Sequence, residues 1–304
     1  MRILVTGATG LLGTDLCRLL GRDHEVLGWS RRLRSPLRDP SVPMEQVDIT
    51  EGQRVLSRLT RWAPAVVVHT AAMTDVDACE RDPDSAFRFN AEGTKGVASA
   101  CGSVGAFLMA VSTDYVFDGT ADRPYREEDL PHPINVYGRS KLEGEKFVLN
   151  RLPRALVIRV SGLFGSSRPN FVLTAVQHLR AGQEVPVVTD QLNSPSYTAD
   201  VAEGIGHLVG QFAKDPRMAQ PQGVLNGVVH LANSGGASRL QVAEVLAATL
   251  GAPTSLIRRT TWADLNRPAR RPARSELACQ RFARQVGAPL RSWEEALRAF
   301  LIHE

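Results

Sequence analysis

The chain has 304 residues, 43% of them hydrophobic and 22% charged, with a net charge of +4 at pH 7. That length holds one large or two modest domains, and the composition is ordinary for a globular enzyme. No apolar run reaches about 18 residues and no aromatics interleave with the arginine clusters, so neither a membrane span nor a nucleic-acid partner is expected.

Arg2–Thr6 reads as a buried strand and Leu11–Leu20 as a helix, with Gly7, Gly10 and Gly13 at the turn between them. Glycines at this spacing let the backbone approach a pyrophosphate, and the helix start offers it free N–H groups. Gly7, Thr9, Gly10, Leu11, Leu12 and Gly13 are therefore predicted to hold a dinucleotide. A core strand this early leaves no room for a secretory leader, and four scattered cysteines without a C-x-x-C suit a reducing compartment. Both observations point to the cytoplasm.

Further strands are predicted at His24–Trp29, Glu45–Val47, Ala65–Thr70, Ala106–Val111 and Ala155–Val160. Helical stretches lie between them at Glu51–Trp62, Asp84–Ser103 and Val136–Arg151. Alternating apolar strands and helices predict an α/β fold, a doubly wound parallel sheet of the Rossmann type, with ligands at the strand carboxyl ends.

An acidic residue after the second strand would hold the ribose of NAD, but this chain has Ser30, Arg31 and Arg32 there. These suit a 2′-phosphate and predict NADPH, with NADH as the alternative. Asp48 and Ile49 are placed to border the adenine, and Ala71 and Ala72 to let the cofactor approach closely. The basic residues Arg31, Arg32 and Arg34, and again Arg267, Arg270, Arg271 and Arg274, form patches that suit a ligand with several phosphates.

Ser112 and Thr113 end the fifth strand. Tyr137 and Lys141 follow at a Y-x-x-x-K spacing, which stacks both side chains on one helical face. The Lys141 ammonium is expected to depress the Tyr137 phenol and make it a proton donor or acceptor near neutral pH. Thr113 would hold the substrate oxygen near that phenol. His69, at the end of a buried strand, reads as a core residue. Asp75 and Asp77 read as helix-start caps.

After residue 165 the pattern loosens. Short strands at Val185–Thr189, Val228–Leu231 and Ser255–Arg258 alternate with helices at Phe171–Ala181, Thr198–Val209 and Arg239–Leu250. This divides the chain into a dinucleotide domain at 1–165, with later segments interleaved, and a smaller substrate lobe at 166–304. Trp262 and Trp293 read as packing residues. Leu297, Phe300 and Leu301 give the last helix an apolar face for the body or for a second subunit, which admits a homodimer.

The glycine opening with a Thr113/Tyr137/Lys141 set resembles the extended short-chain dehydrogenase/reductase superfamily. Finer segments are similar to its dTDP-4-dehydrorhamnose reductase family: Val66 to Asp77, S-T-D-Y-V-F-D-G at Ser112 to Gly119, and N-V-Y-G-R-S-K-L-E-G-E at Asn135 to Glu145. Asn90, Arg159, Asn170-Phe171, Asp190-Gln191 and Arg271-Pro272-Ala273 recur in the same order, so the likeness runs nearly end to end. The resemblance implies hydride transfer from NADPH to the C4 carbonyl of a nucleotide-linked 6-deoxy-4-hexulose, giving dTDP-L-rhamnose. It implies Tyr137 as proton donor, Lys141 as orienting cation and Thr113 as carbonyl anchor. Thr74, Val76, Asp114 and Tyr115 would line the sugar pocket, and Asn170 and Arg271 would serve the nucleotide end.

Three positions depart from the family pattern. Gly162 stands where a tryptophan is usual, implying a larger or different sugar pocket. Asn193 replaces a glycine and Arg274 an asparagine. The acidic residues that hold a metal in some members are not recognisable, so no metal is expected. Two other readings use the same scaffold: a sugar-nucleotide epimerase with tightly held NAD, and a non-catalytic subunit, since the regulatory beta subunit of methionine adenosyltransferase resembles the same branch. Arg31 and Arg32 speak against the first, and the complete Thr113/Tyr137/Lys141 set against the second.

Overall fold

The computed structural model describes residues 1–33, 42–220 and 223–303, so Arg34 of the first arginine cluster lies outside the described residues. Seven strands form the central sheet: β1 (Arg2–Thr6), β2 (Glu25–Ser30), β3 (Met44–Gln46), β4 (Val66–His69), β5 (Phe107–Thr113), β6 (Ala155–Val160) and β7 (Gly227–His230). Their order is β7-β6-β5-β4-β1-β2-β3, and every pairing is parallel. The strand order reverses between β1 and β4, the place where ligands bind in such sheets.

The apolar runs are continuous because both faces of the sheet are covered. Successive side chains of β1 point to opposite faces. Ile3 and Val5 pack with Leu12 and Leu16 of helix Leu11–Leu20 and with Val201 and Ile205 of helix Thr198–Lys214. Leu4 packs with Val55 and Leu59 of helix Gly52–Trp62 and with Val97 of helix Gly93–Val104. Helix Thr198–Lys214 and strand β7 thus return to the sheet from the second half of the chain. Phe212, beyond the expected helix end at Val209, stacks on Phe107 at 4.9 Å.

The expected single helix Asp84–Ser103 divides into three pieces. Pro83 begins a short turn Pro83–Phe87 capped by Asp82, a π-helical segment Arg88–Glu92 follows, and Gly93–Val104 completes the run. Single π turns of this kind re-aim side chains and often sit at functional sites. Asp75 caps helix Val76–Arg81, as expected, by accepting from Ala78 N at 2.9 Å.

A separate core holds the second lobe together. It contains Phe164, Val172, Val176, Tyr197, Val242, Leu246 and Trp293. Leu297 and Phe300 of the last helix, Trp293–His303, are buried in it, so that apolar face docks on the body of its own chain. Among the described residues none of the four cysteines forms a disulfide, and Cys17, Cys79 and Cys101 are buried.

Candidate active site

A cleft of about 1030 Å³ opens at the carboxyl ends of β1, β2, β4 and β5, and residues from the second half of the chain also line it. All thirteen residues predicted to touch only the cofactor line it: Gly7, Thr9, Gly10, Leu11, Leu12, Gly13, Ser30, Arg31, Arg32, Asp48, Ile49, Ala71 and Ala72. Thr113, Tyr137 and Lys141 line it too, as do Thr74, Val76, Asp114, Tyr115 and Asn170.

The glycine turn is a cradle that side chains would fill. Gly7 has φ +68°, in the left-handed region, and a Cβ there would lie 2.7 Å from Ala71 N. A Cβ on Gly13 would lie 2.2 Å from the Gly7 carbonyl oxygen. Gly10 N donates to Gly7 O at 2.7 Å, closing the turn, and helix Leu11–Leu20 begins with no side-chain cap. The uncapped helix start is the anion-binding feature that a dinucleotide diphosphate requires. At the rim the Thr9 and Ser30 hydroxyls lie 2.7 Å apart, and Arg32 N donates to Ser30 Oγ at 3.3 Å. The Arg31 guanidinium rests 4.7 Å above the Phe89 ring, which the π-helical segment carries into the cleft wall.

Helix Val136–Arg151 positions the reacting side chains. Asn135 caps it through Gly138 N at 2.8 Å and anchors it by donating to Arg270 O at 2.9 Å. Gly138 must lack a side chain, because a Cβ would sit 2.1 Å from the Tyr115 carbonyl oxygen. This close approach sets the Tyr137 ring edge-on to Tyr115 at 5.9 Å. The Lys141 ammonium donates to Val111 O at 2.8 Å. Ser140 Oγ donates to Tyr137 O at 2.8 Å and accepts from Asn90 Nδ2 at 3.0 Å. Asn90 also pairs with both backbone groups of Met73, tying the helix to the loop after β4.

Electrostatics differ from the sequence expectation at Tyr137. Burial pushes its phenol well above the ordinary value, and only the Thr113 hydrogen bond pulls against that, so the group stays protonated at neutral pH. Lys141 is not the dominant influence. Burial pulls Lys141 itself down to about 8, opposed by the nearby Glu145 charge. Glu145 is in turn locked to Arg159 at 2.7 Å, with both side chains buried. Asp114 accepts from Ser275 at 2.6 Å, Ser161 at 2.8 Å and Thr113 at 3.1 Å, yet burial still pushes it up to about 6. His69 bridges the Thr6 and Thr94 hydroxyls and is lowered to about 3 by burial, a neutral core residue as expected.

On the substrate side several expectations need correction. Arg271 does not line the cleft: it donates to Asp77 at 2.6 Å and to Ala269 O at 2.6 Å. Asp77 is consequently no cap but the carboxylate that gathers Arg271, Arg267 and Ala269 N. Asn170 borders the cleft, but its side chain caps helix Phe171–Arg180 and donates to Gly165 O and Arg168 O. Gly162 has φ +52°, and a Cβ would meet Ser194 O at 2.9 Å. Gly162 itself lines the cleft, beside Asn193 and Pro195. Arg274 is paired with Glu276 at 2.6 Å.

Sequence reading missed Phe89, Arg168, Phe171 and Arg239, all of which line the cleft. Arg168 donates twice to Thr9 O, at 2.9 and 2.7 Å, so the second lobe reaches across to the glycine turn. No spacing signal marks these residues, because they come from three segments far apart in the chain, at Phe89, at residues 168–171 and at Arg239.

Comparison with known proteins matches residues 1–304 to the RmlD substrate binding domain model. The chain is 37% identical to a dTDP-4-dehydrorhamnose reductase of Streptomyces griseus, covering 97% of this chain and 91% of that protein. It is 34% identical to the spore coat polysaccharide biosynthesis protein SpsK of Bacillus subtilis, covering 99% and 96%. A solved structure of the dTDP-4-dehydrorhamnose reductase of Bacillus anthracis, in complex with NADP, superposes with a TM-score of 0.87 at 31% identity, covering 100% of this chain and 99% of that one.

Proposed function

The chain belongs to the RmlD substrate binding domain family, and from that premise we propose that it is an NADPH-dependent reductase of a nucleotide-linked 4-keto-6-deoxysugar, converting dTDP-4-dehydro-L-rhamnose to dTDP-L-rhamnose. The observation that carries this reading is the meeting of Thr113, Tyr137 and Lys141 in the cleft that also holds the glycine cradle. The named relatives in Streptomyces and Bacillus support the substrate class.

The cradle fits the cofactor. The Gly7, Gly10 and Gly13 backbone and the uncapped helix start would hold the diphosphate, and Ser30, Arg31 and Arg32 the 2′-phosphate. When bound, NADPH supplies the hydride. The protein supplies the proton and the geometry. Thr113 holds the C4 oxygen beside the Tyr137 hydroxyl. As that oxygen gains negative charge it becomes a far stronger base than a phenolate. A phenol kept protonated by burial is therefore a ready donor in the reducing direction. The Lys141 ammonium, fixed on Val111 O, then stands where it can stabilise the phenolate left behind. Asp114 and Tyr115 line the sugar side, and Thr74 and Val76 face them.

Labour divides along the chain in this reading. The sheet at 1–165, completed by helix Thr198–Lys214 and β7, serves the dinucleotide. The rest of 166–304 receives the nucleotide sugar. A cytoplasmic site of action fits four cysteines that form no disulfide among the described residues, and among those residues no helix is long and apolar enough to cross a membrane. The test is spectrophotometric: NADPH oxidation with enzymatically made dTDP-4-dehydro-L-rhamnose, run beside Tyr137→Phe. Turnover by wild type that collapses in Tyr137→Phe is expected. Wild-type turnover in the variant overturns the proton-donor role, and no turnover by wild type overturns the substrate.

A further inference from the structure

Arg239 is the cleft-lining cation that this mechanism leaves unused. It opens helix Arg239–Leu250, and its guanidinium lies 5.0 Å from the Phe171 ring centre and 5.3 Å from that of Trp262. Among the described residues it contacts ring faces but no carboxylate or hydrogen-bond acceptor. Three features make this an unfavourable place for a charge. Burial strips its water and lowers its pKa. It stands at the positive end of a helix dipole. Arg271 and Arg267 add like charge nearby.

Nothing nearby compensates. Asp77 is already engaged by Arg271 and Arg267. Asp190 is exposed and accepts from Trp262 N, at 3.2 and 3.1 Å. The Tyr115 hydroxyl is held by Gln191 Nε2 at 2.9 Å. Among the described residues Trp262 Nε1 is buried with no acceptor. The corner therefore carries excess positive charge beside one unpaired donor, Trp262 Nε1, and one unpaired acceptor, Gln191 Oε1, and an anion would complete its charge balance.

Its position fits a particular anion. Tyr115 packs edge-on to Tyr137 and interacts electrostatically with Arg239, and all three line one cleft. A ligand whose carbonyl meets Tyr137 therefore shares that cleft with Arg239. We propose that Arg239 is the receptor for the diphosphate of the nucleotide sugar, the role expected of Arg271. This rests on the reductase reading for the identity of the ligand, but not for the existence of the anion site.

The test uses protein saturated with NADP⁺, so that the cofactor's own phosphate sites are filled. Calorimetric titrations compare dTDP, inorganic pyrophosphate and thymidine. Arg239→Leu is expected to weaken dTDP and pyrophosphate by about tenfold or more, leaving thymidine and NADPH unchanged, and Arg239→Lys to recover part of the loss. In turnover, KM for the keto-sugar nucleotide rises by a similar factor while kcat stays within about threefold. Exposed Arg217, outside the cleft, serves as the net-charge control through Arg217→Leu. Unchanged dTDP binding in Arg239→Leu overturns the proposal, and so does an equal loss for thymidine, which reports a collapsed wall. Should Arg239→Leu fail to fold, wild type decides: no preference for dTDP over thymidine, or a preference indifferent to salt, overturns it. Arg239-dependent pyrophosphate binding without reduction of the keto sugar leaves the anion site standing and removes the reductase reading.

Discussion

The two halves of the cleft are built on different principles. The cofactor half is made of backbone and small side chains at the ends of consecutive parallel strands. Its contacts run between backbone and small side chains: Gly7 against Ala71, Gly13 against Gly7, Thr9 against Ser30. The substrate half is made of large side chains from segments far apart in the chain, such as Tyr115 with Gln191, Asp114 with Ser275, and Arg239 between Phe171 and Trp262. A site read by backbone needs glycine at fixed spacing. A site read by side chains needs only that the fold bring them together.

Four changes sharpen or break this contrast, beyond the Arg239 test. The largest effect is expected at the junction of the halves. Tyr137→Phe should cost about 10³-fold in kcat, roughly 4 kcal/mol, with NADPH affinity unchanged by fluorescence titration. A parallel loss of NADPH affinity would mean that Tyr137 belongs to the cofactor half alone. Gly13→Ala comes next. Its new methyl would meet only backbone, so relaxation is difficult, and a loss of about 1–3 kcal/mol in stability with weakened NADPH binding is expected by thermal melts and titration. Unimpaired binding would show that the cradle is looser than its contacts imply.

Arg31→Ala combined with Arg32→Ala should reduce the preference for NADPH over NADH by about tenfold, read as a ratio of kcat/KM values. An unaltered ratio would leave the 2′-phosphate to Ser30 or Arg168. The smallest effect concerns Asp114. Its folded pKa, near 6, lies above that of an unfolded carboxyl, so the native state keeps a proton that the unfolded chain has released. Stability should therefore fall as pH rises from about 4 to about 6, and Asp114→Asn should flatten that slope in melts across the window. A slope that persists in the variant assigns it to another group.

Burial also explains where sequence expectation and structure part at Tyr137. The Y-x-x-x-K spacing correctly places Tyr137 and Lys141 on the cleft wall, and it suggests an ammonium lowering the phenol. Spacing carries no information on solvent, and desolvation reverses the sign of the shift. Arg271 and Asp77 fail as sequence expectations for a related reason. A basic cluster and an i,i+2 carboxylate pair look like a ligand site and a cap. Packing pairs them with each other across the molecule, about 190 residues apart in sequence.

The sequence by itself determined the doubly wound sheet, the glycine cradle and the positions of Thr113, Tyr137 and Lys141, because periodicity, turn chemistry and helical spacing are local properties of a chain. Only the tertiary structure decided which arginines are free to meet a ligand, what a side chain at Gly162 would meet, and that the last helix docks on its own chain. Charge compensation and burial depend on what is adjacent in space, and no single segment contains that information.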